Sequence, residues 1–375
     1  MAGIYIHIPF CRRKCHYCNF FSVASLKFKQ EFLDALKEEI MLQCDYLSGK
    51  TVQSVYLGGG TPSLLEPSEI NLILEDIRKH HTLAHDPEIT IEANPDDINK
   101  IRISEYLKAG INRISIGIQS FDDADLVYLN RIHSSSQSLN AIMESQEAGC
   151  SNISIDLIYG IPRLSADKWV DNLDIALNIG VQHISAYSLT VEPKTALDVL
   201  IRKNKLPAPE EDVVIDHFRI LLTKMKEKEW THYEISNFCR DGFFSQHNSM
   251  YWSGEHYLGL GPSAHSYDGI TRQWNVSGIQ KYIEKVKGKE RWFDFEILAL
   301  EQKYNEYVMT SLRTMWGCDA GKIRKEFGNK VASRFTRLAS RFKDSGQIIE
   351  KNGIFFLTDQ GKMFADGIAS DFFIT

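Results

Sequence analysis

Short runs of β-branched and aromatic residues recur at intervals through the first half of the chain. Several of them are apolar at consecutive positions, as the strands of a parallel sheet buried on both faces should be. They predict six strands, at Ile4–Ile8, Val52–Leu57, Glu88–Ala93, Arg113–Ile118, Ile153–Ile158 and His183–Ser188.

Helical patterns fill the intervals between these strands. In the first interval, Phe32, Leu36 and Ile40 recur near the spacing of one helix turn. The predicted helices are Phe28–Tyr46, Ser68–Lys79, Asp97–Ala109, Ser136–Ala148 and Ser165–Ile179. Repeated strand–helix units imply a parallel sheet with right-handed crossovers, and six units are too few for a closed barrel. We therefore expect an α/β fold with an open, partial (β/α)6 barrel over residues 1–205.

The unusual residues of this half of the chain gather on the loops that follow the strands. In barrels, these loops form one rim and carry the chemistry. In chain order they contain the segments CRRKCHYC, GGGTP, EANPDD, GIQS, YGIP and SLTVEP. The sequence therefore predicts one functional rim.

The second half divides into two parts. We expect residues 206–297 to form a connecting segment that covers the barrel, with a helix near Pro207–Trp230 followed by an aromatic, Gly-rich stretch. From residue 298 helical patterns return, and strands at Gln347–Glu350 and Ile354–Leu357 flank an Asn-Gly turn. Residues 298–375 are therefore predicted to form a mostly helical, winged-helix-like domain.

Composition narrows the functional classes. The net charge is −6, which gives no basic field for nucleic acid. The sequence has neither a long apolar run nor a signal peptide, so we expect a cytoplasmic protein without a transmembrane segment. In a reducing cytosol the seven cysteines should be thiols or metal ligands. Four of them are scattered and are interpreted as small buried apolar residues: Cys44, Cys150, Cys239 and Cys318.

The other three cysteines, Cys11, Cys15 and Cys18, form a C-x3-C-x2-C pattern in the first rim loop. Structural zinc is usually held by four ligands. Three cysteines without an obvious fourth favour a [4Fe-4S] cluster that leaves one iron open, while zinc and inert thiols remain alternatives. The basic stretch Arg12–Lys14 would favour thiolates, or it is a solvated loop.

This pattern resembles the radical S-adenosylmethionine superfamily, and Tyr17 matches the aromatic residue that precedes its third cysteine. Longer segments resemble the oxygen-independent coproporphyrinogen oxidase family, with its HemN and HemW branches, over almost the whole chain: YIHIPFC, GGGTP, SIGIQSF, LNRIH, DLIYGIP and HISAYSLTVEP. The resemblance implies that S-adenosylmethionine chelates the open iron. It also implies that one electron from the cluster cleaves the cofactor into methionine and a 5′-deoxyadenosyl radical.

The resemblance also implies cofactor-binding residues on the next rim loops. Gly59, Gly60 and Thr61 would contact the methionine amino end, although a strand-to-helix turn also explains these glycines. Glu92, at a buried strand end, would contact the cofactor, or it pairs with an arginine inside the barrel.

Four further residues complete the implied site. Gln119 would bind ribose hydroxyls or act as a capping residue, and Arg131 would hold a cofactor carboxylate or form a surface salt bridge. Asp156 matches the family's ribose-binding acid. Tyr5 would point toward the cluster rim or pack in the core.

The segment QHNSMYW contains a second resemblance. His247 and Asn248, with Tyr251 and Trp252, resemble the HNxxYW signature of the HemW branch, which is associated with haem. Histidine can ligate haem iron and aromatic rings can stack on a macrocycle. His247 is thus a candidate haem ligand, with His265 as a second choice. The alternative is an aromatic plug beneath the barrel, with His247 bonded to the backbone.

One departure from the pattern separates two functions. The HemN coproporphyrinogen dehydrogenases carry a further cysteine two positions after the third, where this chain has Phe20. The dehydrogenases' N-terminal extension is also expected to be missing. Both features favour a haem chaperone that binds haem and transfers it to acceptor proteins, with respiratory proteins as candidate acceptors. A coproporphyrinogen III dehydrogenase is the alternative, so the sequence leaves open whether the chain is an enzyme.

A third hypothesis is a different radical S-adenosylmethionine enzyme, or a regulator that uses its C-terminal module on nucleic acid. The acidic net charge argues against a regulator that binds nucleic acid. Oligomeric state is also open, although a bound cluster and haem would allow a homodimer.

Overall fold

The computed structural model describes residues 1–374. Strands in this range are β1 (Ala2–Ile8), β2 (Val52–Gly59), β3 (Leu83–Ala93), β4 (Arg113–Gln119), β5 (Ile153–Tyr159), β6 (His183–Ser188), β7 (Thr231–Glu234), β8 (Asn237–Cys239), β9 (His256–Leu260), β10 (His265–Tyr267), β11 (Thr271–Asn275), β12 (Phe293–Ile297), β13 (Cys318–Asp319), β14 (Ile348–Lys351) and β15 (Ile354–Leu357).

The helices alternate with these strands in the first half and dominate the last quarter. They are α1 (Lys29–Leu42), α2 (Pro67–His80), α3 (Lys100–Ala109), α4 (Asp123–Tyr128), α5 (Ser135–Glu147), α6 (Ala166–Asn178), α7 (Ala196–Arg202), α8 (Glu211–Glu227), α9 (Gln246–Ser253), α10 (Ile279–Lys287), α11 (Leu300–Leu312), α12 (Ala320–Phe327), α13 (Asn329–Asp344), α14 (Asp359–Lys362) and α15 (Ala365–Asp371).

The six predicted strands are confirmed as neighbours in one parallel sheet. β1 to β6 lie side by side in chain order. Their residues are mostly buried, as the continuous apolar runs predict. β3 begins earlier than predicted, at Leu83, because its polar start pairs with Val52 at the beginning of β2. The α/β partial barrel is therefore present.

The sheet extends beyond these six strands at both edges. β9 pairs parallel with β1, and β10, β11 and β12 follow it in antiparallel order. At the other edge, β8 and β7 add antiparallel to β6. Residues 206–297 thus contribute six strands to the sheet, which the sequence did not predict. At Gly259, on β9, an added Cβ would lie 2.1 Å from the backbone oxygen of His265, so β9 and β10 need glycine there.

The helix α9 also lies outside the predicted pattern. It begins after Ser245, whose side chain caps the amide of Asn248. Its residues His247 and Met250 lie against Gly3 at the start of β1. Gly3 is five residues from the end of that strand, about 16 Å along it. The helix therefore contacts the end of the barrel opposite the functional rim.

A buried carboxylate connects α1 to the edge of the sheet. Glu39 is fully buried and accepts hydrogen bonds from the amide of Gly261 (2.7 Å), Asn275 Nδ2 (2.6 Å), the Tyr282 hydroxyl (2.6 Å) and Trp292 Nε1 (2.8 Å). Burial raises its pKa, and these donors counter the rise. One side chain thus anchors the segment that carries β9 to β12.

The last quarter has its own hydrophobic core. Its buried side chains run from Tyr304 to Phe372, separate from the main core around the parallel sheet. β13, β15 and β14 form a small antiparallel sheet beside α11 to α15. The predicted hairpin is confirmed, and Asn352 and Gly353 at its turn both have positive φ. Within residues 1–374, every helix is either too short or too polar to cross a membrane.

Candidate functional site

A cavity of about 440 Å3 opens at the carboxyl ends of the parallel strands. It is lined by all but two of the predicted site residues. Those present are Cys11, Cys15, Tyr17, Cys18, Gly59, Gly60, Thr61, Glu92, Gln119, Arg131 and Asp156. Because parallel strands end at the same edge, residues far apart in sequence meet there.

The cysteine loop is fixed by backbone hydrogen bonds at its base. The Cys11 amide donates to Val23 O at 3.1 Å, and the Val23 amide donates to Pro9 O at 2.8 Å. Burial raises the pKa of the Cys18 thiol, so the nearby basic residues do not dominate that group. Arg12 instead pairs with Asp97 at 2.6 Å.

Arg131 bridges the cysteine loop and two strand ends. Its guanidinium lies 3.3 Å from Cys15 Sγ and donates to Asn94 Oδ1 and Gly117 O, both at 2.7 Å. Its Nε is buried and has no hydrogen-bond partner within residues 1–374. The surface salt bridge considered from the sequence is not formed in that range, since Arg131 lies in the cavity wall. The positive charge of Arg131 in the cavity wall suits an anionic group of a bound ligand.

Two neighbouring carboxylates, Glu92 and Asp156, line the cavity. Glu92 accepts from the Tyr56 hydroxyl at 2.8 Å and from the Gly59 amide at 3.1 Å. Burial, and next the nearby Asp156, raise the pKa of Glu92 to about 7. The pKa of Asp156 is also raised by burial. Glu92 makes no salt bridge with an arginine within residues 1–374, so the cavity has acidic groups for a cationic ligand.

The glycines of GGGTP allow close packing of strand ends. An added Cβ at Gly60 would lie 2.6 Å from Phe10 O, and one at Gly59 would lie 2.5 Å from the His7 ring. The Gly60 amide donates to Ile8 O at 2.8 Å. A backbone N–H cannot accept a hydrogen bond from an amino group, so these glycines can meet one only through their carbonyl oxygens.

Gln119 ends β4 with a strained backbone. Its φ is 68°, in the left-handed region that side chains other than glycine seldom adopt. Such strain costs on the order of 1–3 kcal/mol and is concentrated at functional sites. The residue is buried and lines the cavity, which fits a ligand-contacting role better than a capping role.

The structure does not bring Tyr5 or His247 to this cavity. The hydroxyl of Tyr5 instead lies 3.1 Å from His7 Nδ1, and Tyr5 is not among the cavity-lining residues. His247 is buried, with Nδ1 2.7 Å from Ser54 Oγ and Nε2 3.0 Å from the Tyr251 hydroxyl. Both ring nitrogens are therefore engaged. Its role as a haem ligand stays a prediction that requires the loss of one of these bonds.

Three residues of the site were not singled out from the sequence. Asn94 joins Arg131 to Thr61, with its Nδ2 3.3 Å from Thr61 Oγ1, and Gly117 supplies a carbonyl to Arg131. Both belong to predicted rim loops, so their position was the available signal. Tyr56 supports Glu92 from within β2, and only its alternation within a buried strand hints at that role.

The donor set fits the implied cofactors. Three soft thiols line one cavity, beside an unpartnered Arg131 Nε and two carboxylates. Within residues 1–374, no three histidine, cysteine or carboxylate side chains are placed to hold a single metal ion. A [4Fe-4S] cluster takes one thiolate on each of several irons. An anionic group of a ligand would meet Arg131 in this cavity, and a cationic group would meet the carboxylates of Glu92 and Asp156.

Comparisons with known proteins place this geometry in a family. The model of the radical SAM superfamily matches residues 5–176, and that of the HemN C-terminal domain matches residues 298–364. The haem chaperone HemW of Bacillus subtilis (strain 168) is 31% identical over 99% of this chain and 99% of that protein. The haem chaperone HemW of Mycobacterium tuberculosis (strain ATCC 25618 / H37Rv) is 34% identical over 98% and 93%.

The chain belongs to the HemN/HemW family of the radical SAM superfamily. Membership implies a [4Fe-4S] cluster and S-adenosylmethionine. The solved coproporphyrinogen III oxidase HemN of Escherichia coli has the same fold, with a TM-score of 0.84 over 99% of this chain and 89% of that one. Its identity is 22%, so this likeness supports the fold alone. The relatives named haem chaperone HemW match this chain over nearly its whole length.

Proposed function

We propose that the protein is a haem chaperone. It carries a [4Fe-4S] cluster on Cys11, Cys15 and Cys18, binds S-adenosylmethionine beside it, and transfers haem to acceptor proteins. The observation that carries this proposal is the end-to-end match to relatives named haem chaperone HemW. Haem is cargo in this scheme and is not consumed.

The cofactor part of the proposal is supported by the rim cavity. When bound, the cluster supplies one electron to S-adenosylmethionine. The residues of the chain would hold and orient the cofactor: Arg131 places a positive charge in the cavity wall for a carboxylate, and the carbonyls of Gly59 and Gly60 would accept from an amino group. Glu92 and Asp156 lie where hydroxyl or cationic groups would be held.

The residue Phe20 favours a haem chaperone over a coproporphyrinogen III dehydrogenase. It stands where the dehydrogenases carry a further cysteine, and it lines the cavity with 63% of its surface exposed. An exposed phenyl ring offers an apolar contact and no thiol chemistry. The alternative function, oxidative decarboxylation of coproporphyrinogen III to protoporphyrinogen IX, would have to proceed without that cysteine.

One anaerobic experiment separates the two functions. Reconstituted protein is titrated with haem and, in parallel, incubated with dithionite, S-adenosylmethionine and coproporphyrinogen III. We expect stoichiometric haem binding, haem transfer to an apo-acceptor and no protoporphyrinogen IX. Formation of that product over many turnovers would establish the enzyme instead.

The cluster is tested in the same preparation. Cys15→Ala should lose the bound iron and sulfide, whereas Cys44→Ala, a half-buried thiol outside the cavity, should retain them. Full iron and sulfide in Cys15→Ala would reject the cluster assignment. A cytoplasmic location, respiratory acceptors and a homodimer stay predictions, which localisation, pull-down and sedimentation experiments check.

A further inference from the structure

A second cavity lies between the sheet edge and the C-terminal domain. Its volume is about 630 Å3, larger than the rim cavity and within the range of small-molecule sites. One wall is formed by α9 and β9 to β11, and the other by α11 and α12. The rim cavity already has to accept a cluster and S-adenosylmethionine, so a macrocyclic cargo needs separate space.

The walls of this second cavity are unusually aromatic. Six rings line it: Tyr251, Trp252, Tyr257, Tyr267, Tyr307 and Phe327. Tyr257 meets Tyr251 edge to face at 4.5 Å and lies 6.1 Å from Tyr267, so three of the rings form one contiguous cluster. Such a cluster packs well against a flat conjugated molecule.

The cavity also carries cations that the protein does not neutralise. Lys303 Nζ donates to Gly269 O at 3.0 Å, and Lys322 Nζ lies 4.5 Å above the Tyr307 ring. Neither lysine makes an ion pair within residues 1–374. The remaining cation, Arg272, is held by both oxygens of Glu306, at 2.6 and 2.9 Å.

The charges at this site therefore favour an anionic occupant. Arg272 and Glu306 compensate each other, and the one further acid in the lining, Glu326, is exposed to solvent. The two lysines are left to meet carboxylates. An aromatic lining and two lysines without a carboxylate partner together match a porphyrin with its propionates.

The HNxxYW-like stretch contributes to this cavity by its last two residues. Tyr251 and Trp252 lie in the wall, while His247 stands behind Tyr251 and is hydrogen-bonded to its hydroxyl. His247 therefore positions a wall residue. The stretch that the sequence associates with haem thus reaches the cavity through its aromatic half.

A third cavity, of about 420 Å3, is a weaker candidate. It lies between β6 and α14–α15 and contains two cations, Arg313 and Lys362. Arg313 is bonded to Asp366, and Lys362 to Asp359 at 3.0 Å. Since both cations are already paired, this cavity offers less to propionates.

We propose that the second cavity is the haem site, with the macrocycle against its aromatic walls and the propionates at Lys303 and Lys322. This inference rests on the proposed haem-carrying function and adds the location of the haem-binding site. The cargo then sits between the barrel and the C-terminal domain, away from the cysteine loop.

The test compares haem binding by three forms of the full chain. Lys303→Glu combined with Lys322→Glu should weaken haem binding by about tenfold or more, since both propionate contacts become repulsive. Lys281→Glu combined with Lys325→Glu changes the same charge at exposed positions outside the cavity and should bind as the unchanged protein does. Iron and sulfide content should be equal in all three forms.

A second measurement uses only the unchanged protein. Haem dimethyl ester, which lacks the propionate charges, should bind about as weakly as haem binds to the Lys303/Lys322 variant. Equal affinity of the unchanged protein for haem and its ester would overturn the proposal, even if the variant fails to fold. So would normal haem affinity in a folded Lys303/Lys322 variant.

The result also separates this inference from the proposed function. If the unchanged protein binds haem and the cavity variant binds it equally, the site is wrong and the chaperone stands. If Lys362→Glu alone weakens binding, the third cavity is the site and the proposal is rejected. If the unchanged protein binds neither haem nor its ester, both proposals fail.

Discussion

The imidazole of His247 stacks on the ring of Tyr56, with centroids 5.1 Å apart and planes 26° from parallel. The Tyr56 hydroxyl donates in turn to Glu92, which lines the rim cavity. A direct line of contacts therefore connects α9, at one end of the barrel, to the carboxylate at the other. The helix supports the cofactor cavity from below while its aromatic residues face the C-terminal domain.

Glu92 should make S-adenosylmethionine binding pH-dependent. Burial, followed by Asp156, raises the pKa of Glu92 to about 7. A sulfonium cation prefers the ionised carboxylate, so affinity should increase as pH rises through about 7. Calorimetric titration between about pH 6 and pH 8 measures this. Glu92→Gln should flatten the dependence, and an unchanged slope in that variant would assign the titration to another group.

The same shift has a consequence for stability without ligand. Because the folded-state pKa lies above the usual 4.5, folding favours the protonated carboxyl. The stabilisation is complete below about pH 4.5 and is lost as pH rises to about 7. Glu92→Gln should remove this component of the unfolding free energy, which denaturant titrations at several pH values would detect.

Arg131 should be needed for both the cavity and its ligand. In Arg131→Met, Gly117 O and Asn94 Oδ1 lose their donor, and because both groups are partly buried the unfolding free energy should fall by about 1–3 kcal/mol in total. S-adenosylmethionine affinity should also fall by about tenfold or more. Urea unfolding and equilibrium dialysis measure the two effects. Arg337→Met, an exposed change on α13, is the control and should alter neither.

Replacement of His247 tests its two roles. In the structure its ring bonds Ser54 and Tyr251, so His247→Ala should lower the unfolding free energy by about 1–3 kcal/mol. If its role is only structural, the axial-ligand bands of bound haem should stay in place. A shift of those bands would establish His247 as the ligand. His265→Ala tests the exposed alternative ligand in the same way, and a band shift in that variant would assign the iron to His265 instead.

Glu39 should be a main source of stability for the added sheet edge. Glu39→Ala leaves four buried donors without their acceptor, and the expected loss of unfolding free energy is about 3–5 kcal/mol. Glu38→Ala, on the same helix and without a side-chain hydrogen bond, should cost less than about 0.5 kcal/mol. Equal losses in the two variants would mean that the donors find other partners.

The sequence predicted the parallel strands because they are buried on both faces and read as continuous apolar runs. The same runs place the rim loops, since each loop follows a strand end. The sequence pattern did not predict β7 to β12. These strands are short, rich in polar residues and glycine, and held by pairing with distant strands. Nor did it predict α9, whose residues QHNSMYWS have no apolar face.

The cysteine spacing, the glycine-rich rim and Phe20 in place of a further cysteine can all be recognised from sequence alone, because they depend on residues close together in the chain. Two other relationships exist only in the folded chain. In the folded chain, α9 packs against Gly3 at the far end of the barrel, and this packing separates His247 from the cysteines. In addition, α11 and α12 lie opposite β9 to β11, and the second cavity lies between them. Both relationships depend on contacts between segments far apart in sequence, and local pattern carries no information about them.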